Sequence, residues 1–297
     1  MLWLIFVLLA AIFWTCVDLV DKFVIDKEIE SPILAAGIFG VSTSSFIALI
    51  SVFFAEIFIS PTILLVSFFA GILYRVAAYF YYSGMQREEV SRFTPTLSLT
   101  TVFIVILGFL FLGERFSMPV YLGIGLTVGG AILISLENPI ESLKEMKSES
   151  GFLLTAIAAF FYASRDVAFK FATNMEAMMA CIFWMSVGGI ITSTFFLLKE
   201  NERIRSRELK GIKHLLVLGL IGALGYFSFA AAISMGPVSL ASAVLKVEAF
   251  LVFFSVTMIT KFHPKIFHEE IDRFTLFQKL SATGIIVAGV IIIQLFS

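Results

Sequence analysis

The stretch Phe13-Trp14-Thr15-Cys16-Val17-Asp18-Leu19-Val20-Asp21-Lys22-Phe23 recurs 148 residues later as Phe161-Tyr162-Ala163-Ser164-Arg165-Asp166-Val167-Ala168-Phe169-Lys170-Phe171. An aromatic residue, an aspartate and a lysine stand in the same register in both copies. Self-similarity at a fixed offset marks an internal duplication. Each copy lies at the end of an apolar run long enough to cross a bilayer, so the chain reads as one membrane domain made of two related halves, a plan common among secondary transporters.

Composition agrees with that reading. Of 297 residues, 59% are apolar, 14% are charged and 34 are Phe, which leaves too little polar surface to cover a water-soluble globule of this size. A helix crossing roughly 30 Å of hydrocarbon needs about 20 apolar residues. Ten such runs can be marked: 2–21, 33–54, 62–84, 90–112, 117–136, 151–170, 177–198, 212–234, 238–260 and 276–296. Their continuity lacks the alternation of barrel strands, so helices are predicted throughout. The N-terminal run has no basic leader and continues unbroken to Asp18, so it is read as a span and not as a cleaved signal. Cys16 and Cys181 fall inside spans and are read as packing residues.

The register of 148 continues from Val90-Ser91 onto Val238-Ser239, from Thr94 onto Ser242 and from Leu97 onto Leu245. The fifth and tenth runs align at a longer offset, Gly125-x-x-x-Gly129 over Gly284-x-x-x-Ala288, which puts an insertion in the loop 263–272. Five spans per half is an odd number, so the halves lie in opposite orientation. The expected fold is therefore an all-α integral membrane protein of ten transmembrane helices in two inverted five-helix repeats. Residues 1–137 form the first repeat, 138–150 a polar linker and 151–297 the second repeat. Of the 21 basic residues, 16 lie in the connections after spans one, three, five, seven and nine, against Arg115 and Lys170 on the other side. By the positive-inside rule both termini lie outside the cytoplasm.

These motifs resemble the drug/metabolite transporter superfamily, specifically proteins with two EamA-type repeats. The resemblance rests on Trp14 with Lys22, on Tyr162 with Lys170, on the Gly113-Glu114-Arg115 turn before a Gly-rich span, and on Leu245 to Ala249 with Glu248 as its acid. It implies a multi-pass transporter of the plasma membrane. The family's usual orientation has cytoplasmic termini, contrary to the cation count, which is given the greater weight. Thr15, Val17, Thr101 and Ala249 depart from the family pattern, so the resemblance carries no particular substrate.

Three cations and three acids lie clearly within spans, namely Arg75, Arg165 and Lys246 with Asp18, Asp166 and Glu248. A charge near the bilayer centre costs roughly 2.5–3.5 kcal/mol, so such groups are expected to face the interior and to pair or serve a pathway. Helical spacing gives each half an aromatic–acid–base stripe, Trp14-Asp18-Lys22 and Tyr162-Asp166-Lys170. It also groups Gly71, Arg75, Tyr79 and Tyr82 on one face of the third span, and Ser239, Ser242 and Lys246 on one face of the ninth. Lys246 and Glu248 point about 200° apart on an unbroken helix, so both reach one cavity only if that helix unwinds or is surrounded. Asp18 and Asp166 have a structural reading as well, since each lies near a span end where snorkelling suffices.

The candidate substrate-binding residues are Trp14, Asp18, Arg75, Tyr79, Tyr162, Arg165, Asp166, Ser242, Lys246 and Glu248. They describe a charged cavity for a small amphipathic metabolite such as an amino acid, exported or exchanged by alternating access, with protons as a candidate coupled ion. No nucleotide-binding loop, no cofactor motif, no metal motif and no nucleic-acid surface is present in the sequence. The expected partners are the small-molecule substrate and the lipid bilayer, and the chain is read as a monomer or a homodimer. The alternatives are a lipid-carrier flippase of the same superfamily, a nucleobase or sugar carrier, or an intramembrane enzyme. All three histidines lie in or beside loops, which disfavours the enzyme.

Overall fold

The computed structural model describes residues 2–54, 57–87, 96–135, 149–200, 208–262 and 273–297. Every regular element among them is helical. In chain order these are α1 (Leu2–Lys27), α2 (Pro32–Phe54), α3 (Pro61–Arg87), α4 (Leu99–Leu107), α5 (Met118–Ser135), α6 (Glu149–Thr173), α7 (Met178–Lys199), α8 (Glu208–Met235), α9 (Val238–Leu245), α10 (Val247–Phe262) and α11 (Arg273–Phe296). Eight stretches are long and apolar enough to cross a membrane, and two shorter apolar helices, Leu99–Leu112 and Met118–Leu133, complete ten crossings. Positions 90–95 of the fourth run, Pro95 among them, and the loop 263–272 lie outside the described residues.

Helices begin where proline does no harm. Pro32 and Pro61 occupy first positions, where the missing amide N–H has no intrahelical partner to lose. They end where the backbone reverses: α4 finishes in a π-helical turn, Gly108–Leu112, closed by Gly113 at φ 69°, a left-handed conformation that a side chain would strain. Two boundaries differ from the sequence expectation in ways that matter. Helix α1 runs to Lys27 instead of stopping at Asp21, which puts Asp21 inside a helix. The ninth run is broken at Lys246 into α9 and α10. Lys279, counted above among loop cations, lies within α11, buried, with its ammonium 4.4 Å from the Phe253 ring centroid.

The helices pack in a pattern that exchanges into itself. Helix α1 packs on α8 as α6 packs on α3. Helix α2 packs on α8 as α7 packs on α3, and α4 meets α6 as the α9–α10 pair meets α1, while α2 packs on α7 and α5 on α11. Contacts sort the connections onto two faces. On the first face Ser31 bonds Glu200, Gln86 bonds Glu30, and Glu28 meets His214 at 2.7 Å. On the second face the Ser60 amide donates to Glu176 (3.2 Å), and Trp184 Nε1 donates to the Ile57 carbonyl (2.8 Å).

Glycines set the closest approaches. A Cβ on Gly71 would stand 1.9 Å from the Met185 carbonyl oxygen, and one on Gly188 would stand 2.1 Å from that of Phe68, so α3 and α7 touch backbone to backbone. Helix α5 meets α11 through Gly123 and Gly130, whereas a Cβ on Gly125 or Gly129 would meet nothing within 4 Å among the described residues. The Gly125-x-x-x-Gly129 pattern therefore does not make the packing contact inside this bundle.

Candidate functional site

Two buried apolar clusters, one including Tyr74, Phe229 and Leu245 and the other including Val17, Phe39, Ala78, Tyr81 and Tyr82, meet around a cavity of about 160 Å³. At roughly 15 Å³ of such space per water, it holds on the order of ten waters, the room a small metabolite needs. Its wall takes residues from α1, α2, α3, α6, α8, both pieces of the ninth run, and the start of the fourth.

Nine of the ten candidate residues line this cavity: Trp14, Asp18, Arg75, Tyr162, Arg165, Asp166, Ser242, Lys246 and Glu248. Tyr79 does not. Its ring packs against Phe80 (5.3 Å) and Phe196 (5.9 Å) outside the cavity. The reason is angular: the lining positions of α3 are Tyr74, Arg75, Ala78, Tyr81 and Tyr82, a stripe centred near Ala78, and Tyr79 stands about 100° round from that centre.

Each side chain has a definite environment. Trp14 reaches the cavity beside Gly225, where a side chain would occupy the indole's place, and packs on the Phe229 ring at 5.2 Å. Tyr81 donates to Asp18 (3.3 Å), and Tyr82 donates to Asp21 (2.9 Å). Ser242 shares a hydrogen bond with Thr101 (2.8 Å), joining the fourth run to the ninth. Arg165 lies 3.1 Å from its neighbour Asp166, close in charge but not aligned as a hydrogen bond, and its guanidinium sits over the rings of Tyr74 (4.4 Å) and Tyr226 (5.2 Å).

Arg75 is only 1% exposed and rests 4.1 Å over the same Tyr74 ring. Its stem passes between Gly40 of α2 and Gly189 of α7. Its Nε and Nη1 have no hydrogen-bond partner among the described residues.

Lys246 and Glu248 both line the cavity, on either side of Val247 where the second piece of the ninth run begins. At Lys246 the backbone turns through φ −61°, ψ −10°, its amide returns to the Ala243 carbonyl (3.2 Å), and the Ala249 amide returns to the Lys246 carbonyl (3.2 Å). These three-residue bonds tighten the turn and re-aim the side chains that follow.

Sequence reasoning missed Asp21, which is 3% exposed and lines the cavity. The signal was there, since Asp21 stands seven residues from Trp14 and three from Asp18 on the same helical face. With it the cavity has four acids and three bases, not the equal numbers read from the spans. Tyr74 and Tyr81 were also missed; a tyrosine stripe in an apolar helix is the pattern that marks them.

Comparisons with known proteins agree with this architecture. The family profile described as the EamA-like transporter family matches residues 1–136. A solved crystal structure superposes with a TM-score of 0.69 at 13% identity, over 98% of this chain and 96% of that one, a likeness of fold. No curated protein matches the sequence. The stripe of Trp14, Asp18 and Asp21 and the Gly113-Glu114-Arg115 turn both fall within the matched residues, so over residues 1–136 the chain is similar to the EamA-like transporter family, and its helices are those of a multi-pass α-helical membrane protein.

Proposed function

We propose that the protein is a secondary transporter that carries a small amphipathic metabolite, such as an amino acid, by alternating access around the central cavity. The observation that carries this reading is convergence: seven acidic and basic side chains, drawn from helices distant in sequence, line one cavity inside a membrane bundle. Charges are too costly in hydrocarbon to gather without a polar task.

The reading includes two inverted repeats, residues 1–137 and 151–297, joined by a linker, with the fourth run and the ninth, divided at Lys246, crossing at their interface. Three things support it: the exchange symmetry of the packing, the recurrence of the α1–α2 turn contact with the end of α7 as a contact of the α6–α7 turn with α3 on the opposite face, and the 148-residue register. Discontinuous helices at a repeat interface are where such carriers bind solutes. The protein is placed in the plasma membrane, acts as an exporter or exchanger, and uses Asp18, Asp166 or Glu248 to couple protons.

Flux of labelled amino acids into proteoliposomes tests this. The parent protein moves at least one of them, while Arg75→Ala and Lys246→Ala stop transport in protein that still elutes as folded material. Undiminished flux in both variants refutes the charged-cavity mechanism. A cytoplasm-dependent reporter on the C-terminus stays silent if the cation count has the orientation right.

A further inference from the structure

The charges in the cavity are not evenly paired. Arg165 has Asp166 at 3.1 Å. Arg75 has no carboxylate within ion-pair distance among the described residues; its electrostatic neighbours are Tyr74, Tyr162, Arg165 and Tyr82. A guanidinium does not shed its proton, so a cation buried this deeply lacks the anion that would offset its desolvation. The opposite imbalance lies farther along α3. There Asp18 and Glu248 face Lys246 and Asp21 stands beside Asp18, with Asp18 and Asp21 held by Tyr81 and Tyr82.

The two poles are separated by the geometry of α3. Tyr82, which holds Asp21, stands seven residues beyond Arg75, a rise of about 10 Å. Taking that backbone rise as the separation of the poles, charge-assisted hydrogen bonds of about 2.8 Å at each end leave about 5 Å for the ligand to span. The ammonium and carboxylate of an α-amino acid are only about 2.5–3.5 Å apart, being joined through one carbon. Such a molecule satisfies one pole and leaves the other bare. Tyr162, in the same wall and near both Arg75 and Asp21, offers an aromatic surface for the methylenes between.

Resting on the carrier reading above, we propose that the cargo is a charge-separated zwitterion whose carboxylate sits on Arg75 and whose ammonium, several bonds away, sits among Asp18, Asp21 and Glu248. The class includes ω-amino acids, basic amino acids engaged through the side-chain ammonium, and short peptides. Arg165 and Lys246 are neutralised from within and act as positioning residues.

Calorimetric titration of the purified full-length protein with glycine, β-alanine, 4-aminobutanoate, 5-aminopentanoate, 6-aminohexanoate and diglycine tests the proposal, with pentanoate and pentylamine as single-charge controls. The best of the longer zwitterions binds about tenfold or more tighter than glycine and than either control. Glycine as the best ligand, affinity independent of length, or pentanoate equal to 5-aminopentanoate overturns it. Arg75→Gln abolishes the preference for 5-aminopentanoate over pentylamine, and Asp21→Asn, which leaves the arginine site intact, abolishes its preference over pentanoate; retention of both preferences also overturns it. If another solute crosses proteoliposomes while the whole series fails to bind, this assignment falls and the carrier reading stands. If nothing crosses and nothing binds, both fall.

Discussion

Ser98 and Lys246, 148 residues apart, share one backbone geometry at a helix boundary. Ser98 has φ −64°, ψ −16° and receives the Thr101 amide at 3.2 Å; Lys246 has φ −61°, ψ −10° and receives the Ala249 amide at 3.2 Å. The 148-residue register of the aromatic–acid–lysine stripe thus extends to a shared turn geometry. The copies have diverged in what they put there. The first offers Leu97 and Thr100 to the cavity, and the second offers Lys246 and Glu248, so one run supplies shape and the other supplies charge.

Lys246→Met should separate function from folding. The lysine makes no ion pair within 4 Å among the described residues, and its role in the wall is electrostatic, toward Glu248, Asp18 and Asp166. Replacing the buried lysine by an apolar chain of similar length removes its own desolvation cost, and the acids it faces can take up a proton in its absence. Transport in proteoliposomes is expected to vanish while the melting temperature in detergent holds or rises. A fall in melting temperature together with activity would mean that the lysine serves the fold instead.

Glu114 joins the turn after α4 to the start of α9. Its carboxylate accepts from the Val238 amide (2.8 Å), the Ser239 amide (3.2 Å) and the Ser239 hydroxyl (2.5 Å), capping a helix that ends at the Lys246 break. An acid at a helix N-terminus satisfies free N–H groups and meets the positive end of the helix dipole. Glu114→Ala should destabilise the protein by about 1–2 kcal/mol, with faster hydrogen exchange at the amides of 238 and 239. Glu114→Gln, which keeps one acceptor oxygen, should lose roughly half as much. Exchange unchanged at those two amides in the Ala variant would contradict the cap.

How much of this was legible in the sequence depends on the kind of signal. Span number and the converging charges follow from hydropathy and from the cost of burying ions, and both are readable without coordinates. Tyr79 failed because facing was inferred from spacing to Arg75 alone; the stripe's true centre is set by how α3 packs on α6 and α7, which no local pattern states. The break at Lys246 was legible only as a conflict, since two charges pointing about 200° apart both demanded a polar wall. Glu114 enters the sequence reading only through the Gly113-Glu114-Arg115 turn, because its partners are backbone amides 124 and 125 residues away, and amides leave no mark in a sequence.

Glycine substitutions should divide cleanly by location. In Gly71→Ala and Gly188→Ala the new methyl meets a carbonyl oxygen at about 2 Å, which α3 and α7 relieve only by moving apart. Both variants should lose most of the folded fraction in size-exclusion chromatography. Gly125→Ala and Gly129→Ala meet nothing within 4 Å and should be neutral or stabilising by about 0.5–1 kcal/mol through helix propensity. Loss of folded protein in the second pair would require a contact that the isolated chain does not make.

Gly225→Ala offers a way to perturb the cavity from behind without touching a charge. Its Cβ would lie 2.7 Å from Cδ1 and Nε1 of Trp14 and 3.2 Å from Cβ of Phe13, so the indole must tilt into the cavity that it lines. A wall residue displaced by under an ångström costs binding more than folding, because the apolar surface remains buried while the cargo loses its seat. The expected result is a KM raised about three- to tenfold with the maximal rate less affected, alongside a shift in tryptophan emission. The Gly284→Ala control, whose new methyl meets nothing within 4 Å, should leave both readouts unchanged. An emission shift with KM unaltered would place Trp14 in the packing and remove it from the cargo's path.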